Sequence, residues 1–151
     1  TGIMAEPALR VWMQESVPPR TCYRERAGRW VGEPVWPSPR IEPWRLYPVG
    51  RELRDASAAG EARVCSPLWV GMAAGEIGRY GDDADWPTDQ REDDAGSLVW
   101  ATEPLAERVE ILGAPKLRLR VAAAEALALV AVRLNDVRPD GARARVTVGL
   151  M

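Results

Sequence analysis

The side chains that could carry chemistry are defined first by one that is missing. The chain of 151 residues contains no histidine. A Ser-His-Asp or Cys-His relay needs an imidazole that takes and returns a proton near neutral pH. No other side chain has its ordinary pKa in that range. The five serines, Ser16, Ser38, Ser57, Ser66 and Ser97, stand in ESV, PSP, ASA, CSP and GSL. None is a G-x-S-x-G nucleophile elbow. A Ser-Lys dyad would need Lys116, the single lysine, at the start of an alternating segment. Catalysis by this chain alone is not expected, and no catalytic residue is assigned.

The acidic run is the next candidate. Asp82, Asp83, Asp85, Asp89, Glu92, Asp93 and Asp94 lie within thirteen positions. A hard cation such as Ca²⁺ wants several oxygen ligands, and Asp82, Asp83 and Asp85 are the candidates to supply them. The EF-hand spacing is absent, however. The plainer reading is a solvated loop whose aspartates cap turns, with no cofactor or metal bound. Asp89 or Asp93 can instead pair with Arg91 or with a neighbouring domain.

Seven tryptophans stand in a chain without phenylalanine. They could build a sugar-stacking platform, or they could serve as core and interface. The second reading is preferred, with Trp36, Trp44 and Trp86 as interface candidates. Cys22 and Cys65 are 43 positions apart and do not make a metal spacing. Two buried free thiols are expected, although a disulfide remains open. Cytoplasmic residence follows from that reading.

Bulk composition supports a globular chain. Hydrophobic residues make up 46% and charged residues 28%, and the formal net charge is -2. That balance does not attract a polyanion, and no basic stripe alternates with aromatics. Nucleic acid is not an expected partner. The longest apolar run, residues 126–132, is far below the roughly 20 residues of a membrane span, so no membrane partner is expected. No signal peptide is visible, and a start at Thr1 reads as the cut end of a longer chain.

The elements that must position these residues are short strands. Thirteen prolines and thirteen glycines punctuate the chain. Proline breaks helices and avoids central strands. Residues 8–13 (ALRVWM) read as a strand that is apolar on both faces. Residues 28–36 contain a second, broken by Pro34, and residues 44–48 alternate as a third. Residues 50–61 read as a loop. Residues 64–71 form a strand or a buried extended turn. Residues 75–96 are long and irregular, which in a compact domain usually means function or wrapping around a neighbour. Residues 97–100, 109–112 and 117–121 read as strands, the last with clean period-two alternation. Residues 127–134 (LALVAVRL) read as a strand buried on both faces, preferred over a helix at 122–131, which their alanines and leucines would also favour. Residues 135–141 (NDVRPDG) are turn chemistry, and a last strand follows from Arg143. The sum is an all-β chain of about eight to ten short strands, in a sandwich or jelly roll.

Several pieces together carry a resemblance. Asp89-Gln90-Arg91 is followed by GSLVW, then TEPL at residues 102–105, VEILGAP at 109–115 and RLNDVRPDG at 133–141. In this order they resemble the C-terminal domain of the X-Pro dipeptidyl-peptidase and cocaine-esterase-like (CocE/NonD) hydrolases. PALRVWMQES and GRWVGEPVWP resemble the start of that domain, so the likeness covers nearly the whole chain. The resemblance implies a jelly-roll β-sandwich of galactose-binding-like shape over residues 1–151. It also implies a partner, an α/β-hydrolase domain with the Ser-Asp-His triad. There the accessory domain helps to wall the active site and stabilises the enzyme or its oligomer. The family domain continues past the strand near Ala144, so the sandwich is expected to be incomplete at the C-terminus. Its unpaired edges would invite other chains, which makes a homo-oligomer a possible partner state. Three functions compete: a hydrolase accessory domain, a stand-alone carbohydrate- or ligand-binding module, and an assembly element.

Overall fold

The computed structural model describes residues 2–76 and 85–151. Among them are six strands and one short α-helix, β1 (Leu9–Gln14), β2 (Gly28–Glu33), β3 (Tyr47–Val49), β4 (Glu52–Arg54), α1 (Arg91–Ala95), β5 (Ala131–Val137) and β6 (Arg143–Leu150), with 3-10 turns at Gly2–Ala5 and Met72–Ala74. The strands form three antiparallel pairs, β1–β2, β3–β4 and β5–β6. The chain is all-β. Three ladders fit a jelly roll without tracing a complete one.

Two compact units are distinguished. The first comprises Thr1–Glu15, Glu25–Pro67 and Gly96–Leu112. Its main ladder registers Val11 on Val31 and Trp12 on Trp30. β1 places half-buried Leu9, Val11 and Met13 on one face and exposed Arg10, Trp12 and Gln14 on the other. The strand expected to be apolar on both faces therefore has one half-buried apolar face and one exposed face, because successive side chains point to opposite sides. The smaller hairpin, β3–β4, turns through Gly50 and Arg51. Gly50 takes φ 62, the left-handed value that a two-residue hairpin turn asks of its first central residue. The expected loop over residues 50–61 thus begins inside a hairpin. The expected strand at 97–100 is absent, and the next residue, Ala101, makes a single parallel bridge to Glu52. The expected strand at 109–112 is absent, with Val109 and Ile111 exposed.

The second unit comprises Ser16–Arg24, Leu68–Ala95 and Gly113–Met151. Its centre is the β5–β6 hairpin, which pairs Ala131 with Leu150 through to Val137 with Arg143. A bulge between Leu134 and Asn135 shifts the register, so that Leu134 faces Thr147 and Asn135 faces Arg145. The reversal is tight. Gly141 N–H donates to the Arg138 carbonyl at 2.8 Å, and Gly141 takes φ 80. Asp140 accepts from the Ala142 N–H at 3.0 Å, as an aspartate in a turn does. The turn expected at 135–141 is therefore narrower, because Asn135 to Val137 remain in the ladder.

Three expectations for this unit are corrected. Residues 117–121 alternate in sequence but form no strand, and Leu117, Leu119 and Val121 are exposed. Alternation permits a strand, but only a bonded neighbour makes one. The doubly buried strand at 127–134 starts only at Ala131, with Leu127 and Leu129 exposed. Residues 64–71, which straddle the two units, hold no strand, and Leu68 and Trp69 are exposed in a turn.

Buried apolar surface is scarce. Among the described residues Ala73 is the one buried hydrophobic side chain. The other buried residues are polar: Glu33, Ser38, Gln90, Asp93 and Asp94. A two-stranded ladder has no second layer of its own, so its apolar face needs a covering element to become core.

Candidate functional site

Each unit offers one candidate surface. In the first unit it is aromatic. The directly opposed pair Trp12 and Trp30 projects from one face of β1–β2. The two indoles meet edge to face, with ring centroids 5.4 Å apart and planes at 69°. Such a contact adds about 0.5–1.5 kcal/mol beyond area burial. Both rings nevertheless stay in contact with solvent, Trp12 at 41% and Trp30 at 65% exposure. Gly28 makes the arrangement possible. A Cβ there would lie 2.5 Å from the Met13 carbonyl oxygen and 2.6 Å from Trp12 Nε1.

An open groove of about 320 Å³ also belongs to this unit, with Met13, Val31, Ile41 and Leu112 in its lining. Charged pairs flank it. Arg40 bonds both Glu33 oxygens, at 2.8 and 3.2 Å, and Arg29 bonds Glu110 at 2.6 Å. The Ser38 hydroxyl and then the Arg40 guanidinium hold the Glu33 carboxyl below its ordinary pKa. The Arg29 guanidinium does the same for Glu110 against a smaller opposing effect of burial. Arg108 extends the chain of charges from Glu110 to Glu15, at 2.9 and 2.6 Å. These groups are already engaged with one another, and the exposed pairs among them contribute little to stability.

In the second unit the surface is ionic. The helix α1 lies against the β5–β6 hairpin through carboxylates. Asp93, 1% exposed, accepts from the Gly71 N–H at 2.9 Å and meets Arg133 at 2.7 Å. Asp94 meets the other Nη of Arg133 at 2.8 Å and also bonds Arg143. Asn135 reaches both Asp94 oxygens at 3.4 Å. Asp89 makes an Asx turn onto the Arg91 N–H, pairs with the Arg91 side chain at 2.6 Å and accepts from the Arg143 N–H. Burial pushes the Asp89 carboxyl up, but the hydrogen bonds from Arg91 and Arg143 and the Arg91 charge outweigh it. The net shift is downward. Gln90, fully buried, donates from Nε2 to the carbonyls of Ala73 and Thr88 at 2.7 and 2.8 Å.

The residues singled out from sequence fall as follows. Asp82 and Asp83 lie outside the described residues. Asp85 is exposed, takes φ 64, and its carbonyl accepts from the Glu76 N–H. Among the described residues no group of three His, Cys, Asp or Glu side chains could hold a metal ion. Asp89 pairs with Arg91 as expected, whereas Asp93 and Asp94 are buried partners of the hairpin and not part of a solvated loop. Trp36 and Trp44 are exposed in the first unit, Trp36 in a cis bond to Pro37. Trp86 lies in the second unit, edge to face with Tyr23 at 6.5 Å. Cys22 and Cys65 are free, as expected, but exposed and not buried. Sequence reasoning missed the Trp12–Trp30 pair. Its signal was present, because period-two alternation sets Trp12 on the face opposite Val11 and Met13. The cross-strand partner was not visible. No helix among the described residues is long and apolar enough to cross a membrane.

Comparison with known proteins adds one match. Residues 1–151 match the family described as the X-Pro dipeptidyl-peptidase C-terminal non-catalytic domain. No curated protein and no solved structure matches the chain. The match spans the full chain and agrees with a β-rich fold built without histidine. The chain belongs to the family of X-Pro dipeptidyl-peptidase C-terminal non-catalytic domains.

Proposed function

We propose that the chain is an accessory β-sandwich domain that packs on an α/β-hydrolase domain and supports the active-site wall, stability or assembly of the whole enzyme. On this reading the parent is a serine hydrolase of the X-Pro dipeptidyl-peptidase and cocaine-esterase-like kind, acting on ester or amide bonds. Residues 1–151 act in it as one domain of jelly-roll, galactose-binding-like type. The observation that carries the reading is the exposed Trp12–Trp30 pair, with Trp36 and Trp44 exposed in the same unit. Covering apolar surface yields about 25 cal/mol per Å², and tryptophan is enriched at the energetic centres of interfaces. Two free, exposed cysteines fit a reducing compartment, and we place the domain in the cytoplasm.

A carbohydrate-binding role draws less support. Indoles at 69° to each other do not offer one flat stacking platform. The test is complementation. The chain and the catalytic domain of the same enzyme are produced separately, and hydrolysis of an X-Pro amide is followed on mixing. Restored or stabilised hydrolysis is expected. An unchanged rate with no complex in sedimentation would overturn the reading. A chain that sediments only as a dimer of itself would assign the exposed face to self-assembly.

A further inference from the structure

Among the described residues, the ionic cluster of the second unit is one carboxylate short. Its cations are Arg91, Arg133, Arg143 and Arg145, and its anions are Asp89, Asp93 and Asp94. Arg91 is taken by Asp89, and Arg133 by Asp93 and Asp94. Arg143 is taken by Asp94. Arg145 stands beside them on β6, directly across the ladder from Asn135, and joins no salt bridge among the described residues. Its Nη1 is buried and has no hydrogen-bond acceptor. Burial and the nearby Arg133 charge push its pKa down, with only partial relief from Asp93. A guanidinium does not discharge at any ordinary pH, so the charge stays, with no carboxylate bonded to it among the described residues. The neutral Oδ1 of Asn135 is also without a partner, but accepting from Arg145 would leave that charge uncompensated. Leaving a partly buried charge unpaired costs stability, and a planar carboxylate matches the guanidinium fork in shape and sign.

We propose that Arg145 is the cationic half of a carboxylate-binding site and takes its anion from outside this chain. The residue is only half-buried, and Nη1 alone of its nitrogens is a buried atom without a partner. The carboxylate is either a small free acid or an acidic side chain of an adjoining domain. The chemistry of the site is the same in both cases.

The test begins with the purified chain and acetate, with chloride at equal ionic strength as the control. Acetate should raise the melting temperature saturably, by about 3 °C at a tenfold excess over its dissociation constant. Arg145→Met should abolish the response and Arg145→Lys should weaken it. In the absence of acetate, Arg145→Met should melt no lower than the parent chain, because it removes an unpaired charge. A structural partner would behave otherwise, as Arg133→Met should. No acetate-specific shift in the parent chain would overturn the proposal. So would an equal shift in Arg145→Met, or a ligand-free loss of stability matching that of Arg133→Met. A second arm assigns the source and leaves the first intact should the docking reading fail. It measures the affinity of the catalytic domain for parent and Arg145→Met chains. Loss in the variant together with competition by acetate assigns the carboxylate to a side chain. Affinity that is indifferent to the substitution assigns it to a free acid.

Discussion

Arg133 and Asp93 meet at 2.7 Å where the two side chains are 12% and 1% exposed, so that β5 and α1 are joined by a nearly dry ion pair. Taking one partner away leaves the other charged and enclosed, which typically costs about 3–5 kcal/mol. Asp93→Ala should therefore unfold α1 from the hairpin. Hydrogen exchange at the amides of Ala131–Val137 and Arg143–Leu150 reads the loss. Unchanged protection in the variant would show that the pair holds nothing.

Gly28 leaves no room for a side chain. The added Cβ would meet the Met13 carbonyl oxygen at 2.5 Å and Trp12 Nε1 at 2.6 Å. The carbonyl belongs to the β1 backbone and cannot swing aside. Gly28→Ala should cost about 1–3 kcal/mol, as overpacking does. It should also alter tryptophan emission as Trp12 is pushed from Trp30. A variant with the parent's melting curve and spectrum would place Trp12 elsewhere.

Acid should loosen the second unit through Asp89. Its folded pKa lies below the ordinary 3.8 because bonds from Arg91 and Arg143 outweigh burial. A depressed carboxyl stabilises the fold fully above the unfolded value. That contribution is lost as pH falls through the lower, folded value. Titration of the Asp89 carboxyl carbon by NMR should give a midpoint below 3.8. Asp89→Asn should remove this part of the acid limb of the stability curve. A midpoint above the ordinary value would contradict the observed bonding.

The Trp12–Trp30 face should matter to association more than to folding. Trp30→Ala removes a ring that is 65% exposed, so the isolated chain should keep its melting temperature within a few degrees. Affinity for the catalytic domain should drop about 30-fold, the effect of losing a hot spot of about 2 kcal/mol. Calorimetric titration of the two domains decides this. Equal affinity for parent and variant would move the contact to another face.

Much of the local structure was readable. LRVWMQ at β1 and RARVTVGL at β6 alternate or extend as strands, and PDG marks the reversal before β6. The pairing of Asp89 with Arg91 was also within reach, two positions apart and next to a turn. Other segments misled. Leu117, Leu119 and Val121 carry the cleanest alternation in the chain, yet no strand bonds them. Asp93 and Asp94 sit in an acidic run that reads as solvated, yet they are the anions that hold α1 to the hairpin. Their partner Arg133 is about forty positions away, beyond any local pattern.

The amino-acid order by itself determined the chemical inventory: no imidazole, no nucleophile elbow, strands of limited length, and a set of motifs whose order points to one family. Those are properties of residue types and their near neighbours, which steric preference and side-chain chemistry set without reference to the rest of the chain. Which Trp faces which Trp, which arginine neutralises which aspartate and which is left over were decided only in three dimensions. Cross-strand register and ion pairing join residues far apart in sequence, and their free energy appears only when the chain brings them within bonding distance.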